Sequence, residues 1–144
     1  MGATDEKYLE MTLPNQGGCE RIAMASCASF AKTHGFAQER IEDMKTAVSE
    51  ACMNAFEHGN RGRPDAKVVV RMSSEDRSLI VWVVDEGAGL AKDPPVPSIE
   101  RKIEGKEPAR GFGMFLIRQL ADKVTFEKLG NHGHAVRMVF EKKP

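Results

Sequence analysis

The irregular alternation of helix-like and strand-like segments predicts an α+β fold, a two-layer sandwich of a mixed, mostly antiparallel sheet with helices on one face. The predicted order is strand, helix, helix, strand, strand, loop, helix, strand and strand. Residues 78–84, SLIVWVV, are apolar throughout, which is typical of a strand in the middle of a sheet. The 144 residues suffice for one core, so we expect a single domain over 1–144.

Turn-forming glycine, proline and asparagine residues separate the segments. Strands are predicted over 7–13, 67–72, 78–84, 124–127 and 134–141. Helices are predicted over 19–34, over 38–58 and from 110 to about 122. Residues 90–109 carry four prolines and many charges without a sustained period, which indicates a mobile loop.

The charges balance, with 21 Lys and Arg against 21 Asp and Glu. A neutral chain lacks the basic face that displaces counterions, so we expect no direct nucleic-acid binding. No apolar run reaches the length of a membrane-spanning helix, and the first residues lack the regions of a signal peptide. Three cysteines without a C-x-x-C pair indicate reduced thiols in a cytoplasmic protein: Cys19, Cys27 and Cys52.

The second helix carries three polar residues on one predicted face near its end. Glu50, Asn54 and His58 are spaced at i, i+4 and i+8. A carboxylate can accept a proton or orient a nucleophile, and a carboxamide oxygen one turn away can bind Mg²⁺. A solvated polar face is the alternative interpretation. Small apolar residues of the same helix predict a closely packed stripe: Ala47, Ala51, Met53 and Ala55.

A D-x-G-x-G stretch follows the buried strand over 78–84. The glycines, Gly87 and Gly89, permit positive φ and close approach of a ligand to the backbone. Asp85 is a pure acceptor at neutral pH and suits an exocyclic amine such as adenine N6. An ordinary Asx turn is the alternative interpretation of the same residues.

The stretch Arg110-Gly111-Phe112-Gly113-Met114 stands where the loop becomes a helix. A helix opened by glycines presents free N–H groups and a positive dipole end, which favour phosphate. A simple joint between loop and helix fits equally well. No P-loop motif occurs, and the glycines do not follow a strand in a βαβ unit, which disfavours a dinucleotide fold.

Taken in order, E-x-x-x-N on a helix, D-x-G-x-G and R-G-F-G resemble the GHKL ATPase superfamily, with its Bergerat ATP-binding fold. The resemblance covers nearly all of the chain. More narrowly, AVSEACMNAFEHG is similar to the first box of the anti-sigma-factor serine/threonine kinases of bacterial partner switching. RGFGMFLIRQLAD is similar to the second glycine box of the same kinases.

The resemblance implies a role for each motif residue. Glu50 would be the general base toward a substrate hydroxyl, and Asn54 would bind the Mg²⁺ that bridges the ATP phosphates. Asp85 would bind adenine, with Gly87 and Gly89 shaping that wall of the site.

The same resemblance assigns roles to other parts of the chain. Residues 110–114 would cradle phosphates, and residues 90–109 would form an ATP lid. His58 would face the nucleotide as well, although a structural role at the helix end fits it equally well. His134-Ala135 stands where such kinases often carry a threonine before the last strand, which departs from the pattern.

The implied function is that of an anti-sigma regulatory kinase, which uses ATP and Mg²⁺ to phosphorylate a small STAS-type anti-anti-sigma partner and sequesters a sigma factor. The implied homodimer agrees with an apolar first helix around Ala23, Met24 and Phe30. A nucleotide-dependent binding module without catalysis is the first alternative, and Glu50 favours the kinase over it. A histidine-kinase catalytic domain is the second alternative, disfavoured because the segment before Cys19 contains no histidine.

Overall fold

The computed structural model describes residues 7–87, 109–129 and 133–142. In this part of the chain, five strands and three helices follow the predicted order. The strands are β1 (Tyr8–Pro14), β2 (Lys67–Glu75), β3 (Ser78–Asp85), β4 (Lys123–Lys128) and β5 (His134–Glu141). The helices are α1 (Glu20–Thr33), α2 (Gln38–Asn54) and α3 (Ala109–Leu120), and α2 continues into a π-helical turn over Ala55–Gly59.

The strands form one sheet in the order β1-β2-β3-β5-β4, and every described pair is antiparallel. Strands β2 and β3 form a hairpin, with Glu75 paired to Ser78. Only Asp76 and Arg77 lie between the two strands, so β2 runs three residues beyond its predicted end at residue 72. Asp76 adopts a positive φ of 52°, which aspartate tolerates better than most residues.

The helices pack on one face of the sheet, as predicted. Strand residues at alternate positions point into the core, and the largest fully buried ones are Met72, Leu79, Met138 and Phe140. Helix α2 contacts α1, α3 and β3. The α+β sandwich predicted from the sequence is therefore confirmed.

The small residues of α2 let it lie close to its neighbours. Ala47, Ala51 and Ala55 are at most 5% exposed. Met53 is 39% exposed, so its predicted place in the apolar stripe is wrong. The reason is helical geometry, because a residue two positions from Ala51 and from Ala55 lies on the opposite side of the helix.

Arg40 ties the start of α2 to the end of α3. Its guanidinium donates to the carbonyl of Leu120 at 2.8 Å and pairs with the carboxylates of Asp43 and Asp122. Arg40 is only 8% exposed, and a buried cation of this kind needs such partners. These bonds hold the end of α3 against the start of α2.

Asn60 closes the end of the π-helical turn and is completely buried. Its Oδ1 accepts the backbone N–H of Glu86 at 2.7 Å. Its Nδ2 donates to the carbonyl of Lys67 at 3.0 Å and to Asn15 Oδ1 at 3.1 Å. One side chain thus joins the end of α2 to the start of β2 and to the turn after β3.

Candidate functional site

Glu50 and Asn54 lie one turn apart on α2 and face α3. The contact is made at Gly113, where a Cβ would come within 2.8 Å of Glu50 Oε1 and 3.2 Å of Asn54 Nδ2. With glycine at this position, α3 leaves room for the ends of both side chains, whereas a Cβ would make the Glu50 carboxylate shift. The predicted carboxylate and carboxamide pair is therefore brought together at the junction of α2 and α3.

The glycine stretch lies at the start of α3, as predicted. Helix α3 begins at Ala109, one residue before the predicted start, so residues 110–113 belong to its first turns. In an α-helix the N–H of the fifth residue already bonds within the helix, so Gly113 supplies no free donor. Free N–H groups at this N-terminus can come only from residues before Gly113. The side chains of residues 109–112 lie outside the described part, and their predicted phosphate contacts stay a prediction.

The predicted alignment of His58 with Glu50 and Asn54 is also altered. It required a regular α-helix to residue 58, but the chain widens into the π-helical turn after Asn54. The N–H of Asn60 bonds to the carbonyl of Ala55, five residues back, at 2.8 Å. His58 therefore leaves the 3.6-residue register, and it is not among the described residues that line the pocket below.

Asp85 ends β3 with its carboxylate buried at 6% exposure. Its Oδ1 accepts the N–H of Gly87 at 2.8 Å, so the Asx-turn interpretation is correct for this oxygen. Its Oδ2 lies against the Cα of Gly59 and 3.7 Å from His134 Nδ1. One carboxylate oxygen thus holds the turn, and the other borders the pocket.

Three glycines from separate parts of the chain meet around Asp85. A Cβ on Gly59 would overlap the Asp85 side chain, and a Cβ on Gly87 would overlap the carbonyl of Gly59. Gly133, with φ of +116°, donates its N–H to the carbonyl of Gly87 at 2.6 Å. At Gly87 the close approach is made by the backbone of Gly59 and Gly133, and the predicted approach of a ligand stays a prediction. Gly89 and the predicted lid over 90–109, except Ala109, lie outside the described residues.

A pocket lies between α2, α3 and the adjoining ends of β3 and β5. Its lining is partly polar and otherwise small or apolar: Ala51, Asn54, Ala55, Gly59, Val83, Asp85, Met114, His134 and Val136. The space that protein atoms leave is about 260 Å³, of which about 10 Å³ can take the centre of a water molecule. It therefore accommodates about one water, and a larger ligand enters only if it widens.

Sequence reasoning missed two residues that shape this site and misjudged a third. The sequence indicates only a helix end at Gly59 and Asn60. His134 was noted as a departure from a family pattern, yet its ring lines the pocket at 3% exposure. The run His58-Gly59-Asn60 carried a local signal, since glycine and asparagine end helices. The residues that Gly59 and Asn60 contact lie far along the chain, so these contacts could not be inferred from the sequence.

The described residues contain no group of three or more His, Cys, Asp or Glu side chains placed to hold a metal ion. No helix among them is long and apolar enough to cross a membrane.

Helices on one face of a five-stranded antiparallel sheet, and a pocket where α2 and α3 meet the strand ends, define an ATPase domain of the Bergerat type. Residues 19–140 match the family described as the histidine kinase-like ATPase domain. The chain belongs to this family. Because it is a family of ATPases, nucleotide binding follows as a property of the chain.

Individual relatives show which kind of ATPase domain this chain resembles. The chain is 32% identical to serine-protein kinase RsbW of Bacillus subtilis (strain 168) over 129 residues, which cover 83% of this chain and 78% of RsbW. It is 28% identical to the anti-sigma F factor of Bacillus velezensis over 142 residues, covering 93% of this chain and 90% of that protein. These relatives confirm the prediction of an anti-sigma serine kinase.

A solved structure agrees on the fold. The crystal structure of the RsbU and RsbW domains of Rv1364c from Mycobacterium tuberculosis matches 96% of this chain with a TM-score of 0.66 and 19% identity. This chain spans 33% of that longer chain. At this identity the match supports the fold alone.

Proposed function

We propose that this chain is a single-domain cytoplasmic kinase that transfers the γ-phosphate of ATP to a serine or threonine of a small STAS-type anti-anti-sigma protein, and that it otherwise sequesters a sigma factor. The observation that carries the catalytic part is the contact of Gly113 with both Glu50 and Asn54. It supports a carboxylate and a carboxamide held side by side next to a pocket.

Glu50 is the proposed general base. Phosphoryl transfer needs little covalent chemistry from the protein, because positioning and charge neutralisation do most of the work. The incoming hydroxyl must still lose its proton, and a carboxylate at that point accepts it. Glu50 is half-buried, and the contact with α3 restricts where its carboxylate can lie.

Asn54 is the proposed protein ligand of Mg²⁺, which when bound would neutralise charge on the ATP phosphates. Its Nδ2 is buried without a hydrogen-bond partner among the described residues. The amide is therefore not committed to the fold, and its Oδ1 stays available to a cation. Mg²⁺ usually keeps several water ligands and binds phosphate oxygens, so a single protein ligand is consistent with its coordination.

Asp85 is the proposed adenine contact, with Oδ1 held by Gly87 and Oδ2 at the pocket. Met114 is 3% exposed and supplies part of the apolar wall. Gly89, residues 110–113 and the lid over 90–109 would complete the nucleotide site, and a role for His58 stays part of this proposal.

We also propose a homodimer. Ala23, one of the residues on which this expectation was based, is fully buried within the protein and cannot form a partner surface. Other apolar side chains support it: Tyr8 and Leu9 of the edge strand β1 are 49% and 38% exposed, and Ile22 of α1 is 54% exposed. Light scattering at micromolar concentration should give twice the chain mass, and a monomer throughout that range would contradict the dimer.

The proposed kinase activity is tested by mixing the purified chain, Mg-ATP and purified STAS-type proteins from the same genome. Mass spectrometry should find one added phosphate on a serine or threonine of one partner. If a partner binds tightly in the presence of ATP but never gains phosphate, the non-catalytic binding module is the better description.

A further inference from the structure

His134 is fixed beside Asp85 by the sheet itself. The two residues are paired in register between β5 and β3, and directly paired residues of neighbouring strands project to the same face. The imidazole stacks on Phe126 of β4, with ring centroids 6.0 Å apart and planes 11° from parallel. The ring is therefore held in one orientation before any ligand arrives.

The two ring nitrogens of His134 have different surroundings. Nδ1 lies 3.7 Å from Asp85 Oδ2. Nε2 is buried and has no hydrogen-bond partner among residues 7–87, 109–129 and 133–142. Asn54 Nδ2 is also buried without a hydrogen-bond partner among these residues, and both side chains line the same pocket. Buried polar atoms are nearly always paired, so two unpaired ones in one pocket point to a polar ligand.

The tautomer of His134 follows from its neighbour. An ionised carboxylate accepts hydrogen bonds and cannot donate them, so it favours a proton on Nδ1. The neutral ring then carries its lone pair on Nε2. The pocket thus offers two acceptors, Asp85 Oδ2 and His134 Nε2.

We propose that His134 determines base specificity, with Nε2 and Asp85 together binding the exocyclic amine of a 6-aminopurine nucleotide. The inference rests on the proposed function, because it takes the pocket at Asp85 as the base site. An amine with two hydrogens satisfies both acceptors. A 6-oxopurine would present an oxygen to two lone pairs, and a purine without a 6-substituent would leave both unpaired.

Calorimetric titration with Mg²⁺ compares ATP with purine riboside triphosphate, which lacks the 6-amino group. His134→Asn keeps a polar atom near Nδ1 and removes Nε2. We expect it to lose about tenfold in affinity for ATP and much less for the analogue. His134→Gln places a polar atom near the position of Nε2, and we expect it to retain most of the preference for ATP.

The matched control is His34→Gln, because the His34 ring bonds to the carbonyl of Phe30 on α1 and does not line the pocket. It should bind both nucleotides like the wild type. Melting temperatures check that each variant is folded, and His134→Thr, which also lacks Nε2, replaces His134→Asn if that variant is unfolded.

Three outcomes overturn the inference. If the wild type and His134→Asn prefer ATP over the analogue equally, other residues recognise the amine. The proposed kinase activity would then be unaffected. Equal wild-type affinity for ATP and the analogue would show that the pocket does not contact the exocyclic amine. If the wild type binds no ATP, the proposed function fails, and the inference fails with it.

Discussion

The Cα of Gly59, at the end of the π-helical turn, packs directly on the carboxylate of Asp85, at the end of β3. A Cβ at position 59 would overlap the Oδ2, Cγ and Cβ atoms of Asp85. The absence of a side chain at one position thus allows the proposed adenine contact at the other. Gly87 reinforces the arrangement, because it packs on the carbonyl of Gly59 and donates to Asp85 Oδ1.

Gly59→Ala should therefore disable the base site. The new methyl group must displace a buried carboxylate, and overpacking of this kind costs about 1–3 kcal/mol. We expect affinity for ATP to fall by roughly tenfold or more, measured by calorimetric titration. Gly17→Ala is the matched control, since nothing lies within 4 Å of a Cβ there. Wild-type affinity in Gly59→Ala would show that Asp85 does not need its present position.

Some of this site could be predicted from the sequence because its information is local. Glu50 and Asn54 are one turn apart on a helix, so their shared face follows from helical geometry. The contact of Gly59 with Asp85 joins a helix end to a strand end, and no local pattern indicates it. The π-helical turn was missed for a similar reason, because its end is fixed by bonds of Asn60 to distant residues.

Helix α3 shows how tertiary contacts override local propensity. Glycine has a low helix propensity, yet Gly111 and Gly113 lie in the first turns of α3, in agreement with the predicted start at residue 110. Gly113 faces the side-chain ends of Glu50 and Asn54, and a tertiary contact of this kind offsets its low propensity. The fold class was easier to predict, because the apolar strand over 78–84 and the element order both lie in the sequence.

Asp85→Asn should weaken ATP binding more than it disturbs the fold. The amide can keep its oxygen toward the N–H of Gly87 and then presents an NH₂ group to the base and to His134. A lost acceptor in a dry pocket costs about 1–3 kcal/mol, or about one to two decades in affinity. Calorimetric titration and the melting temperature measure the two effects separately. Unchanged affinity for ATP would show that Asp85 does not contact the adenine.

Asn60→Ala should destabilise the domain. It removes the partners of the Glu86 N–H and the Lys67 carbonyl, and we expect the free energy of unfolding to fall by roughly 2–4 kcal/mol. Urea denaturation measures the change. Gln38→Ala is the control, an exposed helix position where surface substitutions usually stay within about 0.5 kcal/mol. Equal stability of the two variants would contradict the bracing role of Asn60.

The buried thiols make the domain sensitive to alkali. Burial raises the pKa of Cys27 and of Cys52 from 9.0 to about 12. In the unfolded chain both thiols ionise near their ordinary pKa, so the unfolded state loses protons first as pH rises. The stability they contribute is complete below about pH 9 and is lost between about pH 9 and pH 12.

Denaturation midpoints across that range should therefore fall more steeply in the wild type than in the Cys27→Ala, Cys52→Ala double variant. Parallel pH profiles for the two proteins would show that these thiols are not responsible.

The role of Glu50 is the central claim. Glu50→Gln keeps the length and helix propensity of the side chain but cannot accept a proton at neutral pH. Asn54→Ala should differ from it by losing Mg²⁺-dependent nucleotide affinity together with activity. Glu39→Gln, an exposed glutamate in the first turn of α2, is the matched control and should leave the rate unchanged.

The most direct test is single-turnover transfer of the γ-phosphate to the STAS-type partner, with ATP affinity measured in parallel. We predict that Glu50→Gln slows transfer by roughly 10²–10⁴-fold while ATP affinity persists. Transfer by Glu50→Gln at the wild-type rate would contradict the assignment of Glu50 as the base.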